Sequence, residues 1–199
     1  MKVTSKGKSI EVEKGSRFQD IVPLFQEQEE YPLLLAKVGS KIYELHKKVP
    51  EEDCEIEWIT IQNRIGLQSY QRSAVFMLLK AFFHHCKGVK GFNVTIDYTL
   101  GGGFYGYISG EQKLTTELLS KVKSTMQDYV KAEMPIMKRN VSTEEARKLF
   151  HRLGMHSKEQ LFRFRMTSRV NIYSLGNFQD YFYGYMLLNT SYITKFDLF

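Results

Sequence analysis

The break at Gln62-Asn63-Arg64-Ile65-Gly66, after a strand-like run and before a helix-like one, constrains the fold more than any other feature. Before it, apart from one short helical stretch, the apolar residues fall in strand-like runs: Ser9-Ile10-Glu11-Val12-Glu13, Leu33 to Val38, Ile42-Tyr43-Glu44-Leu45, and Glu55-Ile56-Glu57-Trp58-Ile59-Thr60-Ile61. Alternation over so few residues is the mark of a half-buried strand. Beyond the polar stretch Gln62-Asn63-Arg64-Ile65-Gly66, Tyr70, Ala74, Met77, Leu78, Ala81 and Phe82 form one stripe at helical spacing, which predicts a helix from about Leu67 to His85. The charge changes at the same place. Residues 1–62 carry nine basic and twelve acidic side chains, net −3, whereas residues 63–199 carry nineteen and ten, net +9. Two domains are expected, 1–62 and 63–199.

In the first, Lys6-Gly7-Lys8 is a hairpin turn and Gly39-Ser40 another. Ser16-Arg17-Phe18-Gln19 has capping-box spacing ahead of Phe18, Ile21, Val22 and Phe25, with Pro23 expected to interrupt or kink that helix. Two strands, a helix, two strands and a closing strand is the order of a ubiquitin-like β-grasp. The second domain reads as α+β. Phe92, Val94, Ile96 and Tyr98 alternate with polar residues, Gly101-Gly102-Gly103 turns the chain, and Phe104 to Ile108 is the partner strand. Thr115 or Thr116 caps a helix that Pro135 is expected to stop, and Ser142-Thr143-Glu144-Glu145 and Ser157-Lys158-Glu159-Gln160 have capping-box spacing. Short strands are expected at Val170 to Leu175, Tyr181 to Leu187 and Tyr192 to Phe196.

Composition excludes several classes. With 43% hydrophobic and 14% aromatic residues the chain can form a core and is not intrinsically disordered. Two cysteines, Cys54 and Cys86, make neither a disulfide scaffold nor a four-Cys zinc site, and they point to a reducing compartment. No apolar run approaches the ~18 residues of a membrane span, and Met1 to Ile10 lead into no signal core. A cytoplasmic location without membrane attachment is expected.

The residues by themselves reveal no active site. Gly101-Gly102-Gly103 lacks the Lys and Ser/Thr of a P-loop and opens no helix, so it reads as a strand connection. Gly88-Val89-Lys90-Gly91 has the GxxG pattern of KH domains without their flanking order, and reads as a basic turn. His84, His85 and Cys86 are adjacent on a helix and diverge by about 100° each, so they cannot share a metal ion and read as a frayed helix end. His46, His151 and His156 have no carboxylate or Cys at ligand spacing and read as surface or capping side chains.

Three segments, in this order, carry a resemblance: Asp97-Tyr98-Thr99-Leu100-Gly101-Gly102-Gly103-Phe104-Tyr105-Gly106-Tyr107, the helix from Thr115, and Asn140-Val141-Ser142-Thr143-Glu144-Glu145-Ala146-Arg147-Lys148-Leu149-Phe150. Together they resemble the N-terminal half of threonyl-tRNA synthetases, a TGS (β-grasp) domain followed by an editing domain. The resemblance implies two pairs of metal-ligand positions, and this chain has Ser73, Met77, Phe182 and Met186 there. Ser is a poor zinc ligand, Phe is none and a thioether prefers softer ions, so the resemblance implies a filled cleft and no metal or catalytic residue.

Tyr70 to Ala81 and Asp180 to Leu198 also resemble the N-terminal region of bacterial uridine kinase-like, phosphoribulokinase-related proteins. That implies a non-catalytic accessory region with a kinase domain in cis beyond Phe199, which would use ATP and magnesium; this region itself would hold no cofactor. The alternative is an RNA or tRNA module, with Lys87, Lys90, Lys138, Arg139, Arg147, Lys148, Arg152, Arg163, Arg165 and Arg169 as its electrostatic footprint. An editing hydrolase with unconventional ligands ranks behind both, and a small-molecule ligand for the old cleft is the remaining expectation.

Overall fold

The computed structural model describes residues 1–199, the side chain of Leu100 excepted. The short runs of the N-terminal part become β1 (Lys2–Ser5), β2 (Lys8–Glu11), β3 (Leu35–Val38), β4 (Lys41–Glu44) and β5 (Cys54–Ile59), with α1 (Phe18–Gln26) between β2 and β3. They form one sheet in the order β2-β1-β5-β3-β4, in which β1 and β5 are parallel and the other neighbours antiparallel. α1 presents Phe18, Ile21, Val22 and Phe25 to the sheet, where Trp58 meets Phe18 edge-on at 6.3 Å and Phe25 at 5.7 Å between ring centroids. The cap of α1 is not Ser16. Arg17 holds that position, and its backbone N–H donates to Asp20 Oδ2 at 2.8 Å. Asp20 also places a negative charge in the first turn, where the helix dipole favours it. Pro23 does not end α1, because it stands on the exposed side and removes a single N–H from the ladder.

The polar stretch after β5 leads directly into α2 (Arg64–Cys86). Asn63 Oδ1 accepts from the N–H of Ile65 at 2.9 Å and starts the helix. Gly66 lets its first turn lie on the end of β5, since a Cβ at that position would come within 2.0 Å of the Thr60 carbonyl oxygen.

Beyond α2 the chain forms β6 (Asn93–Leu100), β7 (Gly103–Ser109), α3 (Thr116–Lys131), β8 (Ile136–Ser142), α4 (Thr143–Arg152), α5 (His156–Arg163), β9 (Arg169–Leu175) and β10 (Phe178–Tyr181), with a 3-10 turn at Thr190–Tyr192. β6 and β7 pair only with each other, while β10, β9 and β8 form an antiparallel sheet in that order. The expected mixture of helices and sheets is present. Gly101 and Gly102 both take positive φ, 56° and 86°, and form the two-residue hairpin turn.

Several local expectations fail for identifiable reasons. α3 stops at Lys131, ahead of Pro135, and Glu133 then takes a φ of 47° as the chain turns into β8. β8 is not expected from the sequence, because its centre, Lys138-Arg139-Asn140, is polar; pairing with β9 along its whole length makes it a strand. Ser157 lies inside α5, whose N-cap is Met155. The strands expected at Tyr181 to Leu187 and Tyr192 to Phe196 are absent beyond the end of β10 at Tyr181.

Three apolar clusters hold the molecule together. One lies between α1 and the first sheet, and one small cluster, with Val141, Phe150, Phe162 and Ile172, lies under α4 and α5. The third is built around Phe76, Met77, Val122, Met126, Tyr173 and Met186, and it also takes in Leu34, Leu35 and Ile59 of the N-terminal part. Among the described residues no helix is long and apolar enough to cross a membrane.

Candidate functional site

Of the four positions singled out by the resemblance, Met77 and Met186 belong to the third cluster, Phe182 packs against it, and Ser73 touches it through Met186. Ser73, Met77 and Met186 are fully buried. The Ser73 hydroxyl donates to the Ser69 carbonyl at 2.8 Å, accepts from the N–H of Leu187 at 2.9 Å and lies 3.4 Å from Met186 Sδ. Phe182 packs its ring on Phe76 at 5.3 Å. The structure therefore brings α2 and the segment after β10 into direct contact, with side chains in van der Waals and hydrogen-bond contact where they meet. Among the described residues no group of three His, Cys, Asp or Glu could hold a metal ion.

The same segment explains why Tyr181 to Leu187 is not a strand: its backbone is bonded by side chains. Arg72 Nη1 donates to the Tyr185 carbonyl at 2.5 Å, the Tyr173 hydroxyl lies 2.8 Å from the Gly184 carbonyl, and the N–H of Met186 donates to Glu44 Oε1 at 2.8 Å. Glu44 is the hub. It is 3% exposed, receives Lys138 Nζ on Oε2 at 2.9 Å, and has the Tyr173 hydroxyl 2.7 Å from Oε1. Burial, with Glu44 adding to it, pushes the Tyr173 phenol far above its ordinary range. His46 Nε2 lies 3.8 Å from Glu44 Oε2, and burial pulls its pKa below the ordinary value against the attraction of that carboxylate. This junction ties β4 to α2, β8, β9 and the segment after β10. The sequence gives no sign of it, because the polar position of an alternating strand reads as solvent-facing until something covers it.

The histidines differ from their reading in part, His151 and His156 being on the surface as expected. His85 is not at a frayed end: it bonds Thr125 of α3 at 2.8 Å, and burial lowers its pKa. His84 is exposed and Cys86 is in the core, so the three diverge. His151 and His156 do have a carboxylate, Glu159, at 3.0 and 3.6 Å, and their hydrogen bonds hold its pKa below the usual range.

The ten basic residues of the footprint do not form one surface. Lys138 is spent inside on Glu44, and Lys87 and Lys90 lie in the turn after α2. The other seven stand on the lobe of residues 136–170, which holds nine basic and three acidic side chains, net +6, two of the nine, Lys138 and Lys158, being paired with Glu44 and Asp180 outside it. Its three acids are paired within the lobe: Glu144 with Arg147 and Lys148, Glu145 with Arg139, and Glu159 with Arg147 and the two histidines. Such a lobe can neutralise phosphates. A second feature is an apolar groove of about 720 Å³, lined among others by Tyr31, Tyr70, Leu78, Phe104 and Phe196; its size and lining suit an apolar group.

No protein-family model matches the chain. Curated relatives, however, are threonine–tRNA ligases, aligned through their N-terminal region. The ligase of Oleidesulfovibrio alaskensis is 28% identical over 199 residues, all of this chain. That of Thermotoga petrophila is 30% identical over 164 residues, 82% of this chain, and threonine–tRNA ligase 1 of Bacillus subtilis is 31% identical over 189 residues, 94% of it. The chain spans only 30%, 25% and 29% of the lengths of these three relatives. The similarity to threonyl-tRNA synthetases thus extends along the whole chain.

Proposed function

We propose that this chain is an RNA-contacting, non-hydrolysing module related to the N-terminal region of threonyl-tRNA synthetases. The observation that carries the reading is the similarity to threonine–tRNA ligases over the whole chain. The order β2-β1-β5-β3-β4 with α1 on one face supports a TGS-type β-grasp for residues 1–62, and residues 63–199 are the editing-like unit. Ser73, Met77, Phe182 and Met186, packed as described, support a cleft that holds no zinc and polarises no water. The RNA would meet the basic lobe.

A filter-binding titration against tRNA at rising salt tests the reading. Binding that weakens steeply with salt is expected, since each phosphate contact releases counterions; a flat, weak response at low salt rejects it. Stoichiometric zinc in the purified protein, with hydrolysis of a mischarged tRNA, would reject the non-hydrolysing part.

The uridine kinase-like parent rests on the resemblance of Tyr70 to Ala81 and Asp180 to Leu198 alone, and the ligases named above lend it no support. A GxxxxGK[ST] beyond Phe199 would supply that parent with its ATP and magnesium site, and a synthetase core there would replace it.

A further inference from the structure

The basic lobe carries an apolar feature that charge counting overlooks. In Arg163-Phe164-Arg165-Met166, at the end of α5, Phe164 is 80% and Met166 101% exposed. The chain there is not slack. The hydroxyl of Thr143 donates to the Thr167 carbonyl, and the N–H of Thr143 donates to the Ser168 carbonyl at 3.1 Å. Arg165 Nε donates to Thr167 Oγ1 at 3.0 Å, and its guanidinium lies 4.8 Å from the centre of the Tyr181 ring. Arg169 donates through Nη2 to the Asn140 carbonyl at 2.7 Å and through Nε to Asn140 Oδ1. A guanidinium has five N–H donors, so Arg165 and Arg169 keep donors to spare after these bonds. The Arg163 side chain is exposed and, among the described residues, makes no hydrogen bond or ion pair.

We propose that this loop between α5 and β9 is a contact for unpaired nucleotides of an RNA strand, with Phe164 stacked on a base and Arg163, Arg165 and Arg169 on the phosphates beside it. The inference rests on the RNA reading above and adds to it the place and the single-stranded form of the ligand. A ring set between guanidiniums matches a base set between phosphates, and stacking on an aromatic face tolerates any base. The pinning to Thr143, Tyr181 and Asn140 means that little order is lost when the strand arrives. No acid of the lobe opposes it, because Glu144, Glu145 and Glu159 are already paired. Two apolar side chains are a small foot for a bilayer, whereas one ring suffices for one base.

The test uses the full chain and a short single-stranded RNA containing 2-aminopurine, whose fluorescence is quenched by stacking. The native protein should bind and change the fluorescence. Phe164→Ala should abolish that change and weaken binding by roughly fivefold to a hundredfold, and Arg163→Ala should lower the salt slope by about one. Both variants should keep the native unfolding midpoint, since neither side chain is buried. If Phe164→Ala binds and reports as the native protein does, the loop is not the contact, while the RNA reading stands. If the native protein binds neither this RNA nor tRNA at low salt, both fall together. Flotation with phosphatidylserine vesicles that depends on Phe164, without RNA binding, would make the loop a membrane foot and overturn the proposal.

Discussion

A single carboxylate, Glu44, shows how much one residue can decide. It lies on β4 of the first sheet, yet its partners Lys138, Tyr173 and the N–H of Met186 all belong to the remainder of the chain. Removing it leaves a nearly buried ammonium and the N–H of Met186 without an acceptor, while the Tyr173 hydroxyl keeps the Gly184 carbonyl, and breaking a buried pair on one side is far costlier than deleting both partners. Glu44→Ala should therefore cost about 3–5 kcal/mol, read as a lowered urea midpoint. Replacing both Glu44 and Lys138 with apolar residues should recover part of that loss. A double variant as unstable as the single one would place the stabilisation elsewhere in the junction.

At the scale of elements, the handover from β5 to α2 is the tightest point. Gly66→Ala forces a methyl group into the Thr60 carbonyl, a backbone group that cannot swing away as a side chain could. The expected cost is about 1–3 kcal/mol, the usual range for overpacking, measured by thermal or denaturant unfolding. An unchanged midpoint would mean that α2 slides on β5 without loss.

The elements that the sequence made legible are those whose pattern is local: the short apolar runs of β2 to β5, the stripe of α2, and the Ser142 cap, whose Oγ accepts from the N–H of Glu145 at 3.1 Å. Those it hid depend on partners remote in the chain. β8 is a strand because β9 lies beside it. The segment after Tyr181 has a strand's composition, but its hydrogen bonds go to Arg72, Ser73 and Glu44. The candidate site divides in the same way. Ser73, Met77, Phe182 and Met186 could be located through the resemblance, whereas Phe164 and Met166 look like ordinary apolar residues until the fold leaves them uncovered.

For the molecule as a whole, the charge break at residue 62 is not matched by a gap in the packing. Leu34, Leu35 and Ile59 share a cluster with α2 and α3, so residues 63–199 on their own would present that cluster, and the partners of Glu44, to water. A fragment cut at residue 63 should lose the cooperative denaturant transition of the full chain or shift it to much lower denaturant. Two fragments that each unfold at the full chain's midpoint would show instead that the shared cluster adds nothing.

Strand β9 gives this coupling a direction. It begins at Arg169, against the loop that bears Phe164, and four residues further on it carries Tyr173, whose hydroxyl lies against Glu44 of the first sheet. If the loop takes nucleic acid as proposed, the strand works as a ruler, one end set by the phosphates and the other clamped to the N-terminal sheet. A nucleic acid seated on the loop would thus lie at a fixed offset from that sheet, and loosening the clamp would blur the measurement without touching the surface that reads it.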